Sequence, residues 1–145
     1  MPFIHCCAIV ADCLVQTLIE NKMEAKNLRI GNIVLSKVNG ISRVEQIGSS
    51  INSEYVGGRS LEGNYWENSY LPVEINEQWL IAFGFRKDEE TNYRWFMEDW
   101  LTYDIDDNCI CVSDSWEFGK RKYVHELQNL FFAITGRELG LKTDV

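Results

Sequence analysis

The spacing of apolar residues changes several times along the chain. Residues 3–19 form an apolar run, but Asp12 interrupts it and no Lys or Arg precedes Lys22. A secretory signal needs a basic leading segment, and a membrane span needs about 20 apolar residues. We therefore predict a helical N-terminal extension over residues 1–22 and no membrane association. Two interpretations stay open for it: a short buried helix, or a segment upstream of a natural start at Met23.

Residues 28–75 alternate between apolar and polar positions in short segments, which is typical of β-strands. The Asn39-Gly40 pair lies between two such segments and is a strong short-range signal for a hairpin turn. This pattern predicts three or four antiparallel strands, with a glycine-rich loop at Gly57-Gly58.

A short helix is predicted over residues 76–83. Asn76 is a good N-cap, and Gly84 can adopt the left-handed conformation that ends a helix. Strand-like segments return over residues 93–118, and Asp106-Asp107-Asn108 has the composition of a turn.

The clearest helical pattern covers residues 121–135 and ends at Gly136. Apolar residues recur there at spacings of three and four, on one face of a helix: Tyr123, Val124, Leu127, Leu130, Phe131 and Ile134. These elements predict an α+β fold, as a single domain over residues 23–145, in which a curved antiparallel sheet packs with two or three helices. An SH3-like barrel with a separate C-terminal helical hairpin is the alternative.

The chain of 145 residues is acidic, with 22 acidic and 14 basic residues and a formal net charge of −8. Such a charge repels phosphate backbones at long range, so direct binding to nucleic acid is not expected. The five cysteines are odd in number and lack the spacing of a disulfide framework. We therefore expect reduced thiols and a cytoplasmic location.

Candidate metal sites in the sequence are weak. Cys109 and Cys111 share one face of a predicted strand, which is too close a spacing for a usual zinc site, so we predict small buried apolar residues instead. Asp104, Asp106 and Asn108 begin like a calcium-binding loop, but Cys109 stands where that loop needs glycine. No metal and no cofactor is predicted.

The chain also has no recognisable catalytic arrangement. His125, one of two histidines, is predicted to be a packed or surface residue of the last helix rather than a general base. The sequence contains no phosphate-binding loop, dinucleotide-binding motif or nucleophile elbow. We therefore predict a protein that is not an enzyme.

Three segments of the chain occur in an order that we recognise. They are Leu28-Arg29-Ile30-Gly31-Asn32, the block from Leu71-Pro72 through Glu77-Gln78-Trp79-Leu80 to Phe83-Gly84-Phe85, and residues 123–139 (YVHELQNLFFAITGREL). Together they resemble a group of uncharacterised small proteins encoded by bacterial prophages and mobile elements, over about residues 23–140. The resemblance implies an accessory gene of a phage or mobile element, and so a location in the cytoplasm of a bacterial host cell. It carries no catalytic residue to this chain.

Residues 88–117 hold ten acidic residues and one basic residue, Arg94. Aromatic residues are interleaved, and strand alternation would place many aromatics on one face and many carboxylates on the other. The Lys120-Arg121-Lys122 cluster opens the last helix, where the helix dipole disfavours cations. Two interpretations stay open for it: a solvated loop before the helix, or cations that meet a partner or an acidic neighbour within the chain. The predicted partner-binding residues are Glu98, Asp99, Trp100, Asp104, Asp106, Asp107, Lys120, Arg121 and Lys122.

This acidic window has two interpretations. It is either a solvated surface that keeps the protein soluble, or a negative surface that meets a positively charged groove, as nucleic-acid mimics do. With the phage context, we predict an acidic binding protein that inhibits a host defence nuclease, such as a CRISPR effector, by protein–protein contact. The alternative is an accessory or structural phage protein with no defence role.

Overall fold

The computed structural model describes residues 24–50, 53–112 and 116–142. The helical extension predicted for residues 1–22 lies outside these ranges. The described residues form two compact units: unit 1 consists of residues 24–30 and 34–72, and unit 2 consists of residues 31–33 and 73–142. The single domain expected over residues 23–145 stays a prediction.

Within the described residues, ten strands form two five-stranded antiparallel sheets, accompanied by two α-helices. This architecture confirms the predicted α+β class with a curved sheet. No helix in the described part of the chain is long and apolar enough to cross a membrane.

Sheet 1 is a curled half-barrel that follows a 3-10 turn at Ala25–Asn27. Its strands are β1 (Ile33–Ser36), β2 (Gly40–Ser50), β3 (Ser53–Ser60), β4 (Tyr65–Glu67) and β5 (Tyr70–Leu71). They lie in the order β4-β3-β2-β1-β5. The core of unit 1 is made of Ala25, Leu28, Val34, Val44, Val56 and Trp66.

The two adjacent glycines of unit 1 lie inside β3, so the predicted loop at Gly57-Gly58 is wrong. Opposite them, β2 has a bulge between Val44 and Gln46, and a bulge bends the strand that contains it. A Cβ atom at Gly58 would lie 2.1 Å from the carbonyl oxygen of Arg43. Only glycine therefore allows the two strands to approach each other this closely.

The outer face of β3 is covered by aromatic side chains where the glycines leave the backbone bare. The hydroxyl groups of Tyr55 and Tyr65 hydrogen-bond to each other, and both contact Glu67 Oε1, at 3.2 and 3.0 Å. A Cβ atom at Gly57 would lie 2.9 Å from either hydroxyl oxygen. The tyrosines therefore fill the space that a side chain at this position would take.

Sheet 2 belongs to unit 2 and consists of short strands joined by tight turns. Its strands are β6 (Arg86–Lys87), β7 (Arg94–Met97), β8 (Leu101–Asp104), β9 (Cys109–Val112) and β10 (Trp116–Lys120). They lie in the order β10-β9-β8-β7-β6, so each strand pairs with its neighbours in sequence. The turn predicted at Asp106-Asp107-Asn108 joins β8 to β9, and Asn108 has the positive φ of 54° that such turns favour.

The first helix, α1 (Glu77–Phe83), has the ends that its sequence predicts. Asn76 Oδ1 accepts a hydrogen bond from the backbone N–H of Trp79 at 3.0 Å. Gly84 ends the helix with φ of 94°, in the left-handed region. This helix prediction is confirmed at both ends.

The second helix, α2 (Val124–Thr135), starts three residues later than the pattern suggested and ends at Gly136 as predicted. Glu126 Oε2 caps its start by accepting hydrogen bonds from the backbone N–H groups of Lys122 and Tyr123, at 3.0 and 3.1 Å. The buried face consists of Val124, His125, Leu127, Gln128 and Phe131, whereas Ile134 is 37% exposed.

Gln128 explains why a polar residue lies on the buried face of α2. Its Oε1 accepts from the backbone N–H of Ile33 at 2.8 Å, and its Nε2 donates to the carbonyl oxygen of Gly31 at 3.3 Å. Asn32 Nδ2 donates to Asn129 Oδ1 at 2.9 Å. The first and last of the three segments behind the sequence resemblance therefore meet, and these residues have a structural role.

Candidate functional site

Sheet 2 has one buried face and one open face. Trp95, Tyr103 and Ile110 point to the buried side, because strand residues alternate between faces. The register across the open side gives two rows of neighbours: Arg94, Asp104, Cys109 and Lys120 in one, and Phe96, Thr102, Cys111 and Glu117 in the other. With Asp107, these residues line a cavity of about 500 Å³, which we call the sheet 2 cavity.

The two cysteines of this cavity are half-buried free thiols, so the prediction that they are small buried apolar residues is wrong. They do share one strand face, as predicted, because Ile110 between them points to the buried side. Burial, together with a hydrogen bond to the Glu117 carboxylate and the neighbouring Cys111, raises the pKa of Cys109 to about 12. The Cys109 thiol is therefore protonated near neutral pH.

The carboxylates of residues 88–117 lie mostly in turns rather than on a sheet face, which corrects the predicted alternation of aromatics and carboxylates. The turns β6–β7 and β8–β9 are neighbours at one end of sheet 2, since Ile105 N–H donates to the carbonyl oxygen of Tyr93 at 2.9 Å. We define the acidic rim as the six carboxylates at this end: Asp88, Glu89, Glu90, Asp104, Asp106 and Asp107.

Two carboxylates shape the turns of the acidic rim. Asp104 Oδ1 accepts from the backbone N–H groups of Asp106 and Asp107 at 3.0 and 3.2 Å. Asp88 accepts from the backbone N–H of Glu90 and the hydroxyl of Thr91, at 3.1 and 3.0 Å. No rim carboxylate forms an ion pair with a described residue. The rim is therefore a cluster of carboxylates without a Lys or Arg at ion-pair distance among the described residues, although Arg94 lies opposite Asp104 in the strand register.

Glu98, Asp99 and Trp100 lie at the opposite end of sheet 2, in the β7–β8 turn. Trp100 Nε1 donates to Glu98 Oε2 at 2.7 Å, and this bond, with the nearby charge of Arg137, lowers the pKa of Glu98. The Trp100 ring stacks on Phe131 with 6.1 Å between centroids. The structure thus separates these three predicted residues from the acidic rim.

The basic cluster lies at the end of sheet 2 that holds the acidic rim. Arg121 N–H donates to the carbonyl oxygen of Asn108 at 2.7 Å, and Lys120 lines the sheet 2 cavity. Lys122 Nζ lies 3.2 Å from Glu74 Oε1, and this contact raises the pKa of Lys122. Lys122 therefore has an acidic neighbour, Glu74, whereas Lys120 and Arg121 form no ion pair with a described residue.

His125 is a packed residue, one of the two placements predicted for it. Its side chain is 5% exposed, and its Nδ1 has no hydrogen-bond partner among the described residues. Burial lowers the pKa of His125 because it disfavours the charged imidazole. Tyr123 stacks against the ring at 5.9 Å between centroids.

Sequence reasoning missed Arg94, Phe96 and Thr102 as cavity residues. Arg94 and Phe96 are two residues apart, as are Cys109 and Cys111, so each pair shares one face of its strand. The sequence shows this spacing within a strand, but only the register of four strands shows that these residues lie side by side. Among the described residues, no group of three or more His, Cys, Asp or Glu side chains is arranged to hold a metal ion. No known protein family, curated protein or solved structure matches this chain.

Proposed function

We propose that this chain is a non-enzymatic binding protein of a phage or mobile element, which inhibits a host defence nuclease by protein–protein contact. The acidic rim is the proposed contact surface. Its carboxylates would occupy a positively charged groove where the nuclease holds nucleic acid, and a CRISPR effector is one such nuclease.

The observation that carries this proposal is the clustering of unpaired carboxylates in two adjacent turns. Like charges repel each other, so such a cluster is less favourable for folding than the same charges dispersed among Lys and Arg. A basic partner surface would neutralise the rim and speed association through long-range attraction. The expected origin in a phage or mobile element is the reason for proposing a defence nuclease as the partner.

The cavity beside the rim adds specificity to this surface. Arg94 and Lys120 line it close to Asp104 and form no ion pair with a described residue. The rim carboxylates beside these two cations would repel a nucleic-acid phosphate. A protein partner with mixed charges fits this arrangement better than a nucleic acid.

A nuclease-inhibition assay with charge-reversed variants tests the proposal. The double variant Asp106→Lys and Asp107→Lys changes two exposed rim residues and spares Asp104, which shapes the turn. We expect it to lose at least about 100-fold in inhibitory potency, with a melting temperature within a few degrees of the unaltered chain. Inhibition by the unaltered chain should weaken as salt rises from 0.1 to 0.5 M, because salt screens exposed charges.

The matched control is the double variant Glu24→Lys and Glu62→Lys, which makes the same change in net charge at two exposed residues outside the rim. It should inhibit like the unaltered chain. Equal loss in both double variants would show a net-charge effect and contradict a rim-specific contact. No inhibition of any nuclease in a panel of CRISPR effectors and other defence nucleases would favour the alternative, an accessory or structural phage protein.

A further inference from the structure

The charges of the sheet 2 cavity are distributed unevenly between its two rows of side chains. In the row beside the acidic rim, Arg94 lies opposite Asp104 and Lys120 lies opposite Cys109. Asp107, in the adjoining β8–β9 turn, lines the same side of the cavity. Two carboxylates and two cations therefore balance each other on this side.

The second row contains one charged side chain, that of Glu117 on the edge strand β10. Its neighbours across the strands are uncharged and half-buried: Cys111, Thr102 and Phe96. Glu117 accepts a hydrogen bond from the Cys109 thiol, but it forms no ion pair with a described residue. The second row is therefore a largely apolar floor with a single carboxylate at one end.

We propose that the second row binds an arginine side chain of the protein partner, with its guanidinium group on Glu117; as regards the source of the arginine, this rests on the proposed function. A planar guanidinium can donate two parallel hydrogen bonds to one carboxylate. Neighbouring strands lie about 4.8 Å apart, so an aliphatic stem that crosses Cys111 leaves the partner's backbone above Thr102.

The size and charge of the cavity fit this occupant. Its volume of about 500 Å³ lies within the range of ligand sites, and its three carboxylates exceed its two cations by one. One guanidinium group makes the cavity neutral, whereas a phosphate or carboxylate ligand would increase the imbalance. Arginine fits the half-buried floor better than lysine, because a guanidinium is less strongly hydrated than an ammonium group.

A titration without any nuclease tests the site directly. The probe is N-acetyl-arginine amide, whose only charge is the guanidinium group, and NMR follows the backbone amide signals of Thr102, Cys111 and Glu117. We expect saturation with a dissociation constant on the order of 1 mM, as for other small ligands with one good polar contact. N-acetyl-citrulline amide, in which a neutral urea group replaces the guanidinium, should bind at least about fivefold more weakly.

Glu117→Gln keeps the size of the side chain and removes its charge, so it should weaken binding of the arginine probe at least about fivefold. The matched control is Glu62→Gln, which removes the same charge from an exposed residue outside the cavity. It should bind the probe like the unaltered chain. No saturation by the arginine probe, equal binding of the citrulline probe, or full affinity in Glu117→Gln would overturn the site.

The nuclease-inhibition assay separates this site from the proposed function. Glu117→Gln should inhibit at least about fivefold more weakly than Glu62→Gln, because it removes the partner of the arginine. Equal inhibition by these two variants would overturn the arginine contact and leave the acidic rim as the contact surface. Probe binding by a chain that inhibits no nuclease would support the arginine site and contradict the proposed function.

Discussion

Units 1 and 2 each contain a five-stranded antiparallel sheet, but they treat their charges differently. The described residues of unit 1 include five acidic and five basic residues, and those of unit 2 include thirteen acidic and eight basic residues. In unit 1, Glu45 pairs with Arg59 at 3.2 Å and Glu24 pairs with Lys26 at 2.8 Å. In unit 2, the acidic rim has no such pairs, so the same kind of sheet can carry a neutral or a charged surface.

The interiors of the two units differ in the kind of polar side chain that they bury. Beside its apolar core cluster, unit 1 buries the small hydroxyl side chains of Ser36, Ser42 and Ser60. Unit 2 buries the larger side chains of Asn32, His125 and Gln128. Fold class alone therefore does not locate function, and the polar groups of unit 2 are where chemistry can differ from simple packing.

Removing apolar volume from α2 should have the largest effect on stability. Leu127 is 1% exposed, so Leu127→Ala should lower the free energy of unfolding by about 2–5 kcal/mol. Ile134→Ala, on the exposed side of the same helix, should lower it by less than about 1 kcal/mol. Urea unfolding followed by circular dichroism gives both values, and similar losses would mean that the buried face of α2 is assigned wrongly.

Unit 1 should be most sensitive where its strands approach closely. Gly58→Ala places a Cβ atom against the Arg43 carbonyl oxygen, so we expect a loss of about 1–3 kcal/mol or more. Gly48→Ala is the control, since nothing lies within 4 Å of its Cβ and its φ is not positive. The control should be neutral or slightly stabilising in thermal melting. A tolerated Gly58→Ala would mean that the curl of sheet 1 does not need glycine.

The polar interior of unit 2 can be tested at Gln128. Gln128→Ala leaves the Ile33 N–H and the Gly31 carbonyl without their partner, which should cost about 1–3 kcal/mol. Gln78→Ala, at an exposed position of α1, should change stability by less than about 0.5 kcal/mol. A neutral Gln128→Ala in urea unfolding would remove this difference between the two interiors.

The smallest expected effect is the pH dependence due to His125. Its pKa is below the ordinary 6.5, so below about pH 6.5 the unfolded chain binds a proton that the folded chain excludes. Stability should therefore fall as pH falls from 6.5 toward the lowered pKa, by at most about 1.4 kcal/mol per pH unit. Above pH 6.5 this contribution is complete and constant.

His125→Gln supplies the control for this pH effect, because glutamine does not titrate. Urea unfolding at pH 7.5, 6.5 and 5.5 should give a shallower decline in the variant than in the unaltered chain. Identical declines in both proteins would show that His125 is not the group responsible.

Local signals in the sequence were sufficient for the fold class, for α1 with its Asn76 cap and Gly84 end, and for the turn at Asp106-Asp107-Asn108. The helix ends and the turn each depend on a few consecutive residues whose side chains act on their own backbone. The sequence pattern predicts α2 from residue 121, three residues before its observed start. Helical periodicity alone does not separate the basic residues before the helix from the first turn, which Glu126 caps.

Tertiary structure alone decided which side chains come together. Gly57-Gly58 resembled a loop because the sequence does not show that Arg43 approaches from a neighbouring strand. Cys109 and Cys111 looked like core residues until the register placed their face toward a cavity. The nine predicted partner-binding residues lie at the two ends of sheet 2. A strand of four residues, such as β8, is long enough to place the residues before it and after it at opposite ends of the sheet. Charge counts along the chain contain no information about these distances, whereas the pairing of strands determines them.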